Sequence, residues 1–266
     1  MRIFTGTSWS EGNQTKCIEY GIGMLSSPQD PVQPDMIPSD IPVIFDNGAF
    51  YAYRKGKPFD EELFYSKLHK VERELYFVSV PDVVGNGEES YKLSVKHIQN
   101  ISHKKYFVVQ DRMYWDAVYY AIASCDGVFI GGSIPWKWDT ASYWIGHAHE
   151  IGLPVHIGRV SSFRDLDKAY MLGADSVDGS TIIRHNLLER VPTFWAHVKE
   201  QERLDHRHEN LCKAVLGGDD GNSMTKRPSG KDALKLRWRV SATLPKFGYT
   251  RITSVKSKNP VFRRMM

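Results

Sequence analysis

Short apolar runs recur along the chain. They are "RIFTG" (2–6), "IPVIF" (41–45), "LYFVSV" (75–80), "YFVVQ" (106–110), "GVFIGG" (127–132), "LPVHIG" (153–158) and "ADSVD" (174–178). These runs are apolar throughout rather than alternating, the pattern of strands covered on both faces. Segments of helical period lie between them. In "GNGEESYKLSVKHIQNI", Tyr91, Val95 and Ile98 recur at i, i+4 and i+7 and predict one buried helix face. Asn86 followed by Glu89 predicts the N-cap of that helix. Ser162 and Asp165 predict a second start, Phe163, Leu166 and Tyr170 a shared face, and Gly173 the end. A strand–helix unit every 20–30 residues or so implies parallel strands joined by right-handed crossovers.

The number of units, with the early strand at 2–6, predicts an α/β chain forming a (β/α)8 TIM barrel with a basic C-terminal extension, in preference to an open sheet. Ligands then bind at the carboxyl ends of the strands. The first 40 residues, which run into "SSPQDPVQPDMIPSD", read as a long loop over one barrel face, and a helical stretch near 187–203 closes the body. The expected organisation is a barrel over 1–203, a polar, Gly-rich linker over 204–230, and a basic segment over 231–266.

Composition narrows the class. The chain has 266 residues, 41% hydrophobic and 12% aromatic, enough to bury a sizeable core. No apolar run approaches the roughly 18–20 residues of a membrane span, so no membrane partner is expected. The start, "MRIFTGTSWSEGNQ", turns polar too early for a signal peptide. Three scattered cysteines, Cys17, Cys125 and Cys212, point to reduced thiols and a cytoplasmic setting. Charge is unevenly placed. Residues 221–266 hold 12 Lys/Arg and one acid, a formal +11; the rest hold 23 Lys/Arg and 30 acids, a formal −7. Aromatics interleave with the basic residues at Trp238, Phe247, Tyr249 and Phe262. A polyanion is therefore the expected partner, with Arg237, Trp238, Arg239 and Lys246 as candidate nucleic-acid contacts.

Polar residues gather where the strands end. Asp46 follows "VIF", Asp82 follows "FVSVP", and Gln110 and Asp111 follow "YFVV". Gly131 and Gly132 follow "VFI", His156, Gly158 and Arg159 fall at the end of "LPVHIGR", and Asp178 closes "DSVD". Singly, each has an ordinary structural reading: "DNG" and "DGS" make turns, Asp82 caps a helix, "GG" makes a bend, and His156 packs inside a strand. Together they fall on the rim where this architecture binds ligands.

The ordered set resembles the guanine transglycosylase superfamily, whose best-known members act on tRNA. "DNGAF" (46–50) is similar to that family's Asp–Ser–Gly–Gly–Phe motif. "PDVVG" supplies the aspartate after the next strand, "VVQD" (108–111) resembles a Val–Gln–Gly strand end, and "FIGGS" (129–133) keeps an Ile–Gly–Gly motif. "GADSVDGSTIIR" keeps two aspartates and the later arginine of a fifth motif, as Asp175, Asp178 and Arg184. The resemblance covers about residues 40–190, with the motifs in family order. Two features depart from the tRNA enzymes. Their zinc-binding Cys cluster is missing, since "HRHENLC" (206–212) offers too few ligands for a closed site, and Ala49 replaces a glycine. The missing zinc cluster, with a chain shorter than the typical tRNA enzymes, points to the branch resembling the DNA-guanine transglycosylases of phages and bacteria.

What the resemblance implies is a base exchange without metal or cofactor. Guanine in DNA is replaced by a free 7-deazaguanine, expected to be 7-cyano-7-deazaguanine. Asp178 takes the nucleophile position, Asp46 the acid/base position, and Asp175 is read as structural. A carboxylate suits the nucleophile's task, because it can hold the sugar after an oxocarbenium-like transition state. Guanine shows donors at N1 and N2, which makes Asp82 the base reader, with Gln110 and the amides near Gly131 and Gly132 as donors to its carbonyl. Arg184 is the remaining substrate contact. Three alternatives stand beside this reading: a tRNA-guanine transglycosylase, a barrel enzyme acting on a phosphorylated small molecule, and a non-catalytic nucleic-acid-binding barrel.

Overall fold

The computed structural model of the chain describes residues 1–8 and 10–216, with side chains up to residue 204. Eight strands, β1 (Arg2–Gly6), β2 (Gly23–Ser26), β3 (Val43–Phe45), β4 (Phe77–Ser79), β5 (Lys105–Val109), β6 (Gly127–Ile130), β7 (Val155–Ile157) and β8 (Ser176–Asp178), pair in sequence order. All pairings are parallel, and β8 returns to β1 through Phe4 opposite Asp178, so the sheet closes into the expected (β/α)8 barrel. The crossovers carry α1 (Glu11–Glu19), α2 (Ala49–Arg54), α3 (Glu61–Leu68), α4 (Gly87–His97), α5 (Trp115–Ala123), α6 (Ile134–Glu150) and α7 (Phe163–Leu172). A four-residue α8 (Thr181–Arg184) and a long α9 (Val191–Leu216) follow the last strand. Among the described residues no helix is long and apolar enough to cross a membrane.

The continuous apolar runs are explained by two core layers. Outward-facing Ile3, Phe45, Phe107, Ile130 and Ile157 pack under the helices, while Phe4, Ile44, Phe77, Tyr106, Val108 and Phe129 fill the barrel. Inside, Phe77 stacks on Tyr106 at 3.8 Å between ring centroids, and both Phe77 and Phe129 flank the ring of His156, at 5.1 and 4.6 Å. The space for Phe4 exists because residue 23 is glycine; a Cβ there would stand 2.2 Å from the Phe4 ring.

The predicted helix caps are in place. Asn86 accepts from the Glu89 amide, Ser162 from the Asp165 amide, and Gly173 ends α7 in the left-handed region at φ 89°. Three expectations are corrected. First, the opening residues are not one loop. Residues 11–19 are helical and 23–26 form a strand; only the stretch from 27 to 42 is largely irregular. That stretch stands where the helix of the second unit would be and runs the length of the barrel. Ser27 and Asp30 line the same pocket as Asp178 at one end, while Ser39 and Asp40 line a second pocket with Arg2 and Tyr76 at the other. Arg73 holds it there by donating to the carbonyls of Pro34, Ile37, Pro38, Ser39 and Ile41.

Second, of the expected face Ile98 is buried but Tyr91 and Val95 face solvent, and α4 is instead buried through Ser90, Ser94 and His97. The buried stripe is offset by one residue from the apolar one. The Ser90 hydroxyl pairs with the backbone of Val83 and that of Ser94 with Pro81, so small hydroxyl side chains bring the helix close to the barrel. Third, α9 continues to Leu216, past the anticipated end at 203 and into the stretch read as linker.

Candidate active site

A pocket of about 600 Å³ opens at the carboxyl ends of the strands. Its lining includes Asp46, Asp82, Gln110, Gly131, Arg159, Asp178 and Arg184, so seven of the residues singled out on the chain meet in one place. Gly132 stands behind the wall and takes part through its amide. Arg237, Trp238, Arg239 and Lys246 lie outside the described residues.

Asp178 is the last residue of β8, and its side chain is 14% exposed. Its Oδ1 is 2.9 Å from His156 Nε2, and its Oδ2 accepts from the Arg159 amide at 3.3 Å. The other imidazole nitrogen, Nδ1, is 2.9 Å from the Ser176 hydroxyl. Donation to the Asp178 carboxylate needs the proton on Nε2, and in the neutral imidazole Ser176 then donates to Nδ1. Gly158 keeps the approach open, since a Cβ there would come within 3.3 Å of Asp178 Oδ1 and 2.5 Å of the Phe129 ring.

The β7–α7 turn that supplies the Arg159 amide is anchored from below. Lys137, fully buried on α6, donates to the carbonyls of Gly158 at 2.6 Å and Arg159 at 3.2 Å. Burial, helped by the Arg159 charge, pulls the Lys137 amine down to about 8, while Asp178 and Asp165 act in the opposite direction. Arg159 adopts a left-handed backbone, φ 55°. Its guanidinium donates to the Gly132 carbonyl and lies 4.7 Å above the Phe50 ring.

Asp46 follows β3. Its Oδ1 accepts from the Ser79 hydroxyl at 2.9 Å and its Oδ2 from the Gly48 amide at 3.1 Å. Ser79 in turn accepts from the Asn47 amide at 2.8 Å. Burial raises the Asp46 carboxyl to about 6; the two hydrogen bonds oppose the rise, and the charges of Asp178 and Asp30 add to it. The turn depends on Gly48, which has φ 79° and packs so closely that a Cβ would meet Gln29 Oε1 at 2.4 Å.

Asp82 is 5% exposed. Its Oδ1 accepts from Asn47 Nδ2 at 2.7 Å and its Oδ2 from Gln110 Nε2 at 2.6 Å. Burial raises this carboxyl to about 7; the Asn47 and Gln110 bonds lower it and the nearby Asp46 raises it. Gln110 is fixed by two amides, those of Gly85 and Gly132, each donating to Oε1 at 2.9 Å. The Gly131 amide donates to the Val109 carbonyl at 3.0 Å. The donors anticipated for a base carbonyl are thus engaged within the protein, apart from the second hydrogen on Gln110 Nε2. Each Asp82 oxygen accepts one amide hydrogen and keeps capacity for another.

Two other aspartates have structural partners. Asp111 accepts from the Ser133 amide and hydroxyl at the start of α6. Asp175 lies at the other end of the barrel, where it accepts from the Val155 amide at 2.7 Å and pairs with His149 at 2.9 Å. Cys17 and Cys125 are buried, free of disulfides, and pushed up by burial to about 11 and about 12, which makes them poor nucleophiles. Among the described residues no group of three or more His, Cys, Asp or Glu is placed to hold a metal ion.

The structure adds Asn47, Ser79 and Lys137 to the residues anticipated at the site, and gives partners to His156 and Arg159, which the sequence had placed on the rim. His156 carried a signal: between Val155 and Ile157 in an apolar strand, period two points its side chain into the barrel. Lys137 carried none, because its role depends on α6 passing beneath the β7–α7 turn. No family model matches the chain, and no curated protein matches it.

Proposed function

We propose that the chain is a DNA-guanine transglycosylase, exchanging guanine in DNA for a free 7-deazaguanine base through a covalent aspartyl–glycosyl intermediate. One observation carries this reading. Two carboxylates share a pocket in environments that separate their roles: Asp46 is held up near 6, and Asp178 sits between the His156 Nε2 and Arg159 amide donors. Asp178 attacks the anomeric carbon as the bond from sugar to guanine breaks. Asp46 gives its proton to the departing base. The incoming base returns a proton to Asp46, attacks the same carbon, and releases Asp178. No oxidant or energy source enters this balance.

Asp82, at the pocket wall, suits a donor edge, and its neighbours Asn47 and Gln110 orient it. The same edge is present on guanine and on 7-deazaguanine, as an exchange requires. The identity of the polymer rests on the resemblance and on the +11 segment at 221–266. Incubating the protein with DNA or tRNA labelled in guanine, with and without free 7-cyano-7-deazaguanine, tests it. Release of label from DNA that depends on the free base is expected. Release from tRNA alone would reassign the polymer, and release from neither would end the reading.

A further inference from the structure

The pocket has an uneven mouth. On one side α2 and the turn after it present Tyr51 and Tyr53, 51% and 61% exposed, followed by the exposed cations Arg54, Lys55 and Lys57. Only Ala49 and Ala52 of α2 are buried, so two small residues dock the helix and leave its rings outside. Tyr53 stacks with Phe50, and the Lys55 amine lies 5.8 Å from the centre of the Tyr51 ring. None of the three cations forms an ion pair with a described residue. The next acids are turned elsewhere: Asp60 caps α3 at the Leu63 amide, and Glu61 lies 3.8 Å from His97. The patch joins the pocket directly, since Phe50, Tyr51 and Arg54 also line it.

Exposed rings are costly to leave in water, and unpaired cations next to them favour an anionic occupant with flat faces. Within a body of formal charge −7, the stretch 49–59 carries three cations and no acid. An acidic peptide would satisfy the charges but not the rings. A closed duplex would satisfy the charges and hide its base faces. An unpaired polynucleotide strand satisfies both. A base that reaches the pocket must leave its stack, and this leaves the neighbouring bases with uncovered faces beside the rings.

We infer that the surface formed by Tyr51, Tyr53, Arg54, Lys55 and Lys57 binds the unpaired strand flanking the target nucleotide, the rings stacking on bases and the cations meeting phosphates. The inference rests on the reading above that a polynucleotide delivers its base to this pocket.

The test uses the full chain and a short labelled oligothymidylate, which contains no guanine, so that binding is measured without exchange. Tyr51→Ala with Tyr53→Ala should weaken single-strand binding by about tenfold or more, and Tyr51→Phe with Tyr53→Phe should restore it, because stacking needs only the ring. A matched duplex should lose less than about twofold. Arg54→Gln, Lys55→Gln and Lys57→Gln together should reduce the log–log salt slope by about 2, at roughly 0.7 per phosphate contact on a single strand. A bromouridine-substituted strand should photo-cross-link within residues 50–57. Unchanged affinity in the tyrosine variants, an equal loss on duplex, equal competition by polyglutamate, or cross-links confined to other segments would each overturn the inference. Retained oligothymidylate binding without base exchange would instead overturn the proposed function and leave the surface standing.

Discussion

His156 gives the sharpest local test of how the barrel holds Asp178. The perturbation is His156→Leu. Leucine fills nearly the same space between Phe77 and Phe129, whose rings lie 5.1 and 4.6 Å from the imidazole, so the barrel interior stays packed. What disappears is the donor 2.9 Å from Asp178 Oδ1, leaving the backbone amide of Arg159 at 3.3 Å as the remaining donor to the carboxylate. A hydrogen bond to a charged group contributes about 1.5–3 kcal/mol, which corresponds to a rate loss of roughly 10- to 150-fold if the bond is needed in the transition state. The Ser176 hydroxyl also loses its partner, so stability should fall by about 1–3 kcal/mol, and denaturant unfolding must show the variant still folded. The assay is the single-turnover rate of covalent adduct formation with DNA at saturating concentration. His156→Gln, which returns an N–H donor to the carboxylate, should recover much of the rate. A leucine variant within about threefold of wild type, or a glutamine variant as slow as the leucine one, would refute the positioning role.

Two further outcomes follow from charge. Asp82 is raised to about 7 in the folded protein, so between about pH 4 and 7 the folded state holds a proton that the unfolded chain has released, and stability falls as pH rises through that window. Relative to Asp82→Asn, which does not titrate, wild type should lose about 3 kcal/mol between pH 5 and 8 in denaturant titrations; a constant difference would mean that Asp82 titrates normally. Removing residues 221–266, which carry a formal +11, should weaken DNA binding and flatten its salt dependence while exchange persists at saturating DNA; identical slopes would place the polyanion site on the barrel.

The rim was legible in the sequence because parallel strands fix its geometry. Once "VIF", "YFVV" and "DSV" are read as parallel strands of one barrel, Asp46, Gln110 and Asp178 must emerge on the same face. Caps were legible too, since Asn86, Ser162 and Gly173 act within a few residues of themselves. What was not legible depends on contacts between distant segments. β2 has four residues, and its glycine is explained only by the Phe4 ring beside it. The buried face of α4 follows its serines because they bond to the backbone after β4, a pairing that no periodicity of apolar residues reports. Ser79 and Asn47 belong to the site because β3 and β4 are neighbours in register, which places the Ser79 hydroxyl 2.9 Å from Asp46.

The central claim, that Asp178 bonds covalently to the sugar, is tested most directly by trapping. Wild type mixed with DNA, without a free base to complete the exchange, and quenched in denaturant should yield a protein–DNA adduct whose proteolytic fragment maps to Asp178. Asp178→Ala, with an unchanged fold by circular dichroism, should yield none. An adduct on another residue, or base exchange by Asp178→Ala at the wild-type rate, would contradict the account.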